Sequence, residues 1–194
     1  MNTEKTLSPQ ESLALIANVV AQTKENYKQQ SAFFLLWGGL VSAASFLHYI
    51  LLTYSNFQPA YLPWLVLLPI GGAASIYLAK RKFTSNSSLT YYNHFLNTMW
   101  LTLYAAFAVA FVLCSKLSIQ PACFMLLLAA IGTAISGFIM KNNAFVIGAI
   151  CLAIGSVLCV FYTGKEQLLI NGVAILLGYV LPNYFLTPKN ESNV

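Results

Sequence analysis

Residues 61–82 read YLPWLVLLPIGGAASIYLAKRK: an uncharged run, 61–79, closed by Lys80-Arg81-Lys82, the only run of adjacent basic residues in the chain. About 20 apolar residues are what an α-helix needs to cross a hydrocarbon core of about 30 Å. A basic cluster at one end of such a run marks the side that stays in the cytoplasm, because short cytoplasmic loops accumulate Lys and Arg. This stretch therefore decides fold class and threading together, and the fold it predicts is an all-α, polytopic transmembrane bundle.

Composition extends that reading to the whole chain. Of 194 residues, 58% are hydrophobic and only 8% charged, whereas an ordinary soluble domain carries about a quarter charged residues. There is no Asp, and Glu4, Glu11, Glu25, Glu166 and Glu191 all lie outside the apolar runs. The net charge of +5 comes from scattered flanking Lys and Arg, which suits membrane orientation. No basic stripe or stacking platform points to nucleic acid.

Six apolar runs are predicted to be spans: Ala32–Thr53, Tyr61–Ala79, Leu96–Ser115, Ile119–Met140, Ala144–Tyr162 and Gln167–Thr187. Short connections make successive helices antiparallel neighbours, giving three hairpins. The longest link, Lys80 to Phe95, is polar and Ser/Asn-rich, the composition of a loop or contact surface. Threaded this way, Lys5, Lys24, Lys28, Lys80, Arg81, Lys82, Lys141 and Lys189 fall on one side and only Lys116 and Lys165 on the other. Both termini are therefore expected in the cytoplasm. Trp37, Tyr77, Tyr91, Trp100 and Tyr184 mark the inner interface, and Tyr54, Tyr61, Trp64 and Tyr162 the outer one. The sequons at Asn86 and Asn190 then lie on the cytoplasmic side and read as chance matches.

The chain divides into residues 1–31, a six-helix membrane domain over 32–187, and a cytoplasmic tail, 188–194. In the first part, Ser8-Pro9-Gln10-Glu11 has the form of a capping box with proline at the first helical position. Leu13, Ile16, Val20 and Tyr27 follow on one face, predicting an amphipathic cytoplasmic helix. Its charges nearly cancel, so it lacks the basic face of an electrostatic membrane-surface helix. It is expected to pack on the cytoplasmic ends of its own spans. The other reading is contact with a partner protein or a second copy.

Within the spans, small residues recur at the four-residue spacing that lets helix backbones approach: Ala129, Thr133 and Gly137, Gly132 with Ser136, Gly39 with Ala43, and Gly71 to Ser75. No Asp, Glu, Lys or Arg lies inside a span, which weighs against ion-coupled transport, since such transporters place ionisable groups near the midplane. His48 is the only histidine in a span, with Ser42 and Ser45 at three-residue steps; an interfacial hydrogen bond and a ligand or proton site are its two readings. His94, in the cytoplasmic link, reads as solvated. Pro69 before Gly71-Gly72, and Pro182 with Asn183, interrupt the second and sixth spans. Each proline frees a helix carbonyl, as a simple kink or as the broken helix of a binding or gating site. Ser156 with His48 is the one pair from which an intramembrane hydrolase could be built, but no Gly-x-Ser-x-Gly pattern surrounds the serine. Cys114 and Cys123 flank the third connection, a placement compatible with a disulfide; otherwise all four cysteines read as small packing residues. No metal or cofactor site is expected.

Glu11-Ser12-Leu13, Phe34-Leu35-Leu36-Trp37-Gly38, Ser136-Gly137 before Lys141, Ile147-Gly148 and Gly178-Tyr179-Val180-Leu181-Pro182-Asn183-Tyr184 resemble a family of small, uncharacterised six-span bacterial inner-membrane proteins. The likeness covers nearly the whole chain. The family favours Trp at position 39, an aromatic pair near Cys151-Leu152 and Gly at position 183, so local packing does not transfer there. The resemblance implies an association with small winged-helix regulators, hence a sensory or regulatory circuit, and supplies no activity or site. The expected function is thus a non-enzymatic membrane component contacting a partner; the alternative is a small-solute transporter or channel using Pro69, Gly71 and Gly72. Single cysteines from Ser87→Cys and Ser55→Cys, each in a cysteine-free background, are expected to label from opposite sides of the membrane. Labelling of both by an impermeant reagent from outside would overturn the topology.

Overall fold

The computed structural model describes residues 9–55, 59–80, 90–162, 164–180 and 182–183, with backbone only for 9–30, 79–80 and 90–94. The Ser8 cap, the Arg81–Leu89 link, both sequons and the 188–194 tail lie outside the described residues, as do the side chains of Leu13, Ile16, Val20, Lys80 and His94. Six α-helices and one π-helical segment account for the described chain: α1 Pro9–Tyr54, α2 Leu62–Lys80, α3 Thr90–Leu117, α4 Ala122–Ile139, α5 Asn143–Phe161, α6 Glu166–Ile175 and the π segment Leu176–Val180. Four stretches are long and apolar enough to cross a membrane: Ser31–Tyr54, Phe95–Leu117, Ala122–Ile139 and Asn143–Phe161. Leu62–Leu78 and Glu166–Val180 are shorter apolar helices.

The first difference from expectation is α1. The described residues of the N-terminal part, 9–30, do not form a separate helix: Pro9–Tyr54 is one unbroken helix of 46 residues, about 69 Å long at 1.5 Å per residue. Nothing in Gln29-Gln30-Ser31 breaks helical geometry, so the change from polar to apolar composition at residue 31 occurs within a helix. About 33 Å of that helix precedes Ser31, and a continuous helix cannot double back onto the end of its own bundle.

Helices α1, α4, α5 and α6 with the π segment form the core. Helix α1 packs along α6, α6 on α5, and α5 on α4, while α3 rests on α4 and α2 on α1. Helices α2 and α3 do not pack on each other among the described residues, so the rule that every successive pair is adjacent fails at the longest link. The exterior is apolar on all sides: Leu65, Ile76, Leu101, Phe138 and Val160 are each at least 60% exposed. Water would not tolerate so continuous an apolar surface.

Close approach of backbones builds the core. Gly148 lies directly against the carbonyl of Gly178, and a Cβ on Gly178 would meet the Gly148 carbonyl at 3.0 Å and Leu152 Cγ at 2.6 Å. Gly155 faces Ala174, and Gly137 has room for no side chain because Val146 N would lie 2.9 Å away. The small rows of α4 are buried as expected: Ala129, Thr133 and Gly137, with Gly132 and Ser136. Gly39 and Ala43 are not a packing face. Both are exposed, and nothing lies within 4 Å of a Cβ at Gly39; Gly38, one residue earlier, is the glycine that meets Tyr179.

Two turns are closed by residues in the left-handed region. Ser118 (φ 56°) follows α3 and Lys141 (φ 50°) follows α4, each with the six-to-one bond that ends a helix in this way, Ile119 N to Cys114 O at 2.9 Å and Asn142 N to Gly137 O at 2.9 Å. Asn142 then caps α5 by accepting from Ala144 N at 2.8 Å. Cys114 and Cys123, on either side of the α3–α4 turn, are free thiols, as are Cys151 and Cys159; no disulfide joins them.

The contrast between glycines gives a test. Gly148→Val should cost at least about 1–3 kcal/mol by overpacking. Gly72→Ala, at a position with nothing within 4 Å, should be neutral or gain up to about 1 kcal/mol in helix propensity. Thermal unfolding in mild detergent, followed by circular dichroism, reads both.

Candidate functional site

A series of polar contacts joins α1 to α6 and the helical residues beyond it. Ser31 Oγ donates to Asn183 Oδ1 at 2.6 Å, Ser42 Oγ to the Gly172 carbonyl at 3.1 Å, and Asn171 Nδ2 to Ser45 Oγ at 2.7 Å. Beyond them, Lys165 Nζ sits 5.9 Å from the Tyr49 ring centroid, in cation–π range. The advance of 18 residues along α1, from 31 to 49, is matched by a retreat of 18 along the sixth helix, from 183 to 165. The two helices are therefore antiparallel and in register over about 27 Å, close to the thickness of a hydrocarbon core. Serine and asparagine suit this seam because their short side chains bond without forcing the backbones apart.

Ser42 and Ser45 belong to this seam, and His48 does not. Its Nδ1 accepts from Trp64 Nε1 at 3.1 Å, across the α1–α2 contact. That bond needs the lone pair on Nδ1, so the imidazole is the neutral tautomer carrying its proton on Nε2. A second indole bond, Trp37 Nε1 to Ser75 Oγ at 3.0 Å, ties the opposite end of the same helix pair. Between the two bonds Gly71 fits against Leu40 and Trp37.

The break expected at Pro69-Gly71-Gly72 is absent. Helix α2 continues through Pro69, whose side chain is exposed on the outside of the bundle. Gly71 is a contact glycine, and Gly72 has nothing within 4 Å of a Cβ position. These three residues do not converge on a site.

The sixth-span interruption is real and differs in kind. The five residues before Leu181 form the π segment, whose wider turn carries the chain toward Pro182. Asn183 Nδ2 donates to the Tyr179 carbonyl at 2.7 Å, while its Oδ1 receives Ser31. One side chain thus supports the disturbed backbone and closes the end of the α1–α6 seam. The π segment also delivers Tyr179 to an aromatic cluster around Phe34. That ring lies 5.0 Å from Tyr179, 4.7 Å from Phe145 and 5.7 Å from Trp100 in an edge-on arrangement. Trp37 and Trp100 both flank Tyr104, at 6.2 and 6.3 Å. Thr133, buried on α4, donates its hydroxyl proton to the Ala129 carbonyl at 2.7 Å.

Ser156 and His48 are not partners. Ser156 Oγ donates to the Cys123 carbonyl at 2.7 Å, tying α5 to α4, while His48 faces Trp64 on α2. Gln167 Nε2 likewise donates to the Cys159 carbonyl at 2.7 Å. Each hydroxyl or amide proton in these pairs is spent on a helix carbonyl or a neighbouring side chain, so the arrangement holds helices together.

The sequence alone assigned Asn171 no role, and Trp64, Phe34 and Tyr179 no contact across helices. Asn171 had a legible signal, being an amide inside an apolar run. Phe34 and Tyr179 had none, because aromatic residues in a span look alike until their neighbours are known. Compared with protein families, curated proteins and solved structures, the chain matches none.

Asn171→Leu leaves Ser45 buried without a donor and should lower stability by about 1 kcal/mol. Adding Ser45→Ala should restore most of that loss in a double-mutant cycle read by thermal unfolding in detergent. Additive losses would mean that the two side chains are not coupled.

Proposed function

We propose that this chain is a six-span, non-enzymatic component of the bacterial inner membrane that presents the N-terminal part of α1 to a partner as a helical stalk. The single observation that carries the reading is the continuity of α1. About 33 Å of helix precedes the apolar stretch beginning at Ser31, and it is joined without a hinge to the α1–α6 seam. A partner bound to the stalk would therefore bear on the helix that organises the bundle.

Several observations support the six-span threading. Leu62–Leu78 and Glu166–Val180 are short for a bilayer but lie antiparallel to α1, and Pro182-Asn183 extends the sixth helix. The antiparallel course of α1 and α6 supports a threading with both termini on one side, and the distribution of Lys and Arg favours the cytoplasm. The resemblance to small six-span bacterial proteins is what favours a sensory or regulatory role. Leu13, Ile16 and Val20 are the residues proposed to meet the partner, either another protein or a second copy. Transport through Pro69, Gly71 and Gly72 has less support, since Pro69 faces outward and Gly71 is filled by α1.

The test is a mild-detergent pull-down of tagged protein from its native membrane, read by mass spectrometry, beside a variant carrying Leu13→Ser, Ile16→Ser and Val20→Ser. A partner lost from the variant, with insertion unchanged, is the expected result. Recovery of the same proteins with both would remove the stalk from the reading.

A further inference from the structure

We propose that the His48–Trp64 bond is a pH-sensitive latch: protonation of His48 releases the first half of α2, residues 62–68, from α1, with Pro69 as the hinge. Trp64 Nε1 donates to His48 Nδ1 at 3.1 Å. An indole nitrogen can only donate, so the bond exists only while Nδ1 keeps its lone pair. A proton on Nδ1 turns the acceptor into a donor, and two N–H groups then face each other. Histidine is the side chain whose charge ordinarily changes between about pH 5 and 8. The latch is therefore closed while the imidazole is neutral and opens as pH falls through its titration.

The surroundings permit that exchange. His48 and Trp64 are both only partly buried, and His48 lies six residues before Tyr54, where α1 ends, about 9 Å along the axis. On α2 there is no acid or base from Leu62 to Ser75, and Tyr61 precedes it. On α1 the nearest titratable groups are Tyr49 and Tyr54, phenols like Tyr61, a kind that stays neutral over this range; Glu25 is 23 residues back, about 35 Å along the helix. At the start of α6, Lys165 lies over the Tyr49 ring, and Glu166 is exposed beside Gly164. No ion pair joins His48 to a carboxylate among the described residues, so nothing there offsets the loss of the Trp64 bond when the ring gains its charge.

Exposure shows what the bond holds. In the first half of α2, Leu62, Leu65, Val66 and Leu68 are exposed and only Pro63 is buried. The other end of α2 is held separately, by Gly71 against Leu40 and Trp37 and by Trp37 Nε1 to Ser75 Oγ at 3.0 Å, contacts that do not titrate. Between the two ends stands Pro69, which has no N–H to give the Leu65 carbonyl, and helices bend most readily at such a position.

The test uses full-length protein in mild detergent with fluorotryptophan at its three tryptophans, followed by fluorine NMR from about pH 8 to about pH 5. The Trp64 resonance, identified by its loss in Trp64→Phe, should shift with one midpoint while those of Trp37 and Trp100 stay. Ring-nitrogen NMR of the unsubstituted protein should show His48 as the Nε2-protonated tautomer at the upper end and doubly protonated at the lower, with the same midpoint. His48→Gln keeps an acceptor that does not titrate and should abolish the shift; His94→Gln, at the only other histidine, should leave it intact. A Trp64 resonance that holds still while His48 titrates, or that shifts alike in His48→Gln, would overturn the proposal. Trp37 shifting together with Trp64 would overturn the hinge, because α2 would then leave α1 as a whole. The ring-nitrogen titration needs no substitution and decides the matter even where His48→Gln does not fold: a His48 that stays neutral throughout also defeats the latch.

Discussion

The constraint on which the bundle depends is the antiparallel registration of α1 with α6. Inside a lipid phase apolar surface gains nothing by leaving its surroundings, so helices associate through close contact and hydrogen bonds. The α1–α6 seam uses both. Ser31, Ser42 and Ser45 reach across to Asn183, Gly172 and Asn171, and Gly38 and Gly172 make room for Tyr179 and Phe46. Bonds near both ends and the middle leave neither helix free to slide, since a shift of one residue would rotate each polar side chain away from its partner. The first and last helices are thereby locked together, and the intervening helices are closed into a bundle.

From that seam the remaining contacts follow in two directions. Toward α5 they become almost purely steric: Gly148 against Gly178 and Gly155 against Ala174 bring backbones as near as glycine allows. Toward α3 they become aromatic, through Phe34 and the rings of Trp100, Phe145 and Tyr179. The π segment serves both. It presents Gly178 to α5 and Tyr179 to Phe34, and Asn183 supports the backbone just beyond it. π turns inside α-helices are frequent at functional places, and here the departure from α geometry falls where three packing modes meet.

Helices α2 and α3 flank this system, α3 reaching it through Trp100. Each rests on one core helix through backbone contact, and α2 is fastened by two indole bonds, from Trp64 to His48 and from Trp37 to Ser75. Prolines illustrate how much depends on position. Pro69 lies on an exposed face of a helix that continues through it, where loss of one hydrogen bond leaves packing intact. Pro182 follows a π segment at the buried end of the α1–α6 seam and needs Asn183 beside it.

The sequence by itself determined the class of the molecule and the positions of most of its helices, because uncharged runs long enough to cross a bilayer allow little besides helix once backbone groups must satisfy one another. It also marked the buried small residues of α4, whose four-residue spacing can be read without neighbours. Only the tertiary structure decided which small residues face inward elsewhere: Gly38 and Gly39 are adjacent and chemically identical, yet one meets Tyr179 and the other nothing. It separated His48 from Ser45 and from Ser156, joined residues 9–30 to the first apolar run in a single helix, and gave Asn171 and Asn183 their partners. The physical reason is that periodicity records composition around one helix axis, whereas rotation of that axis against its neighbours is set by contacts between residues far apart in the chain.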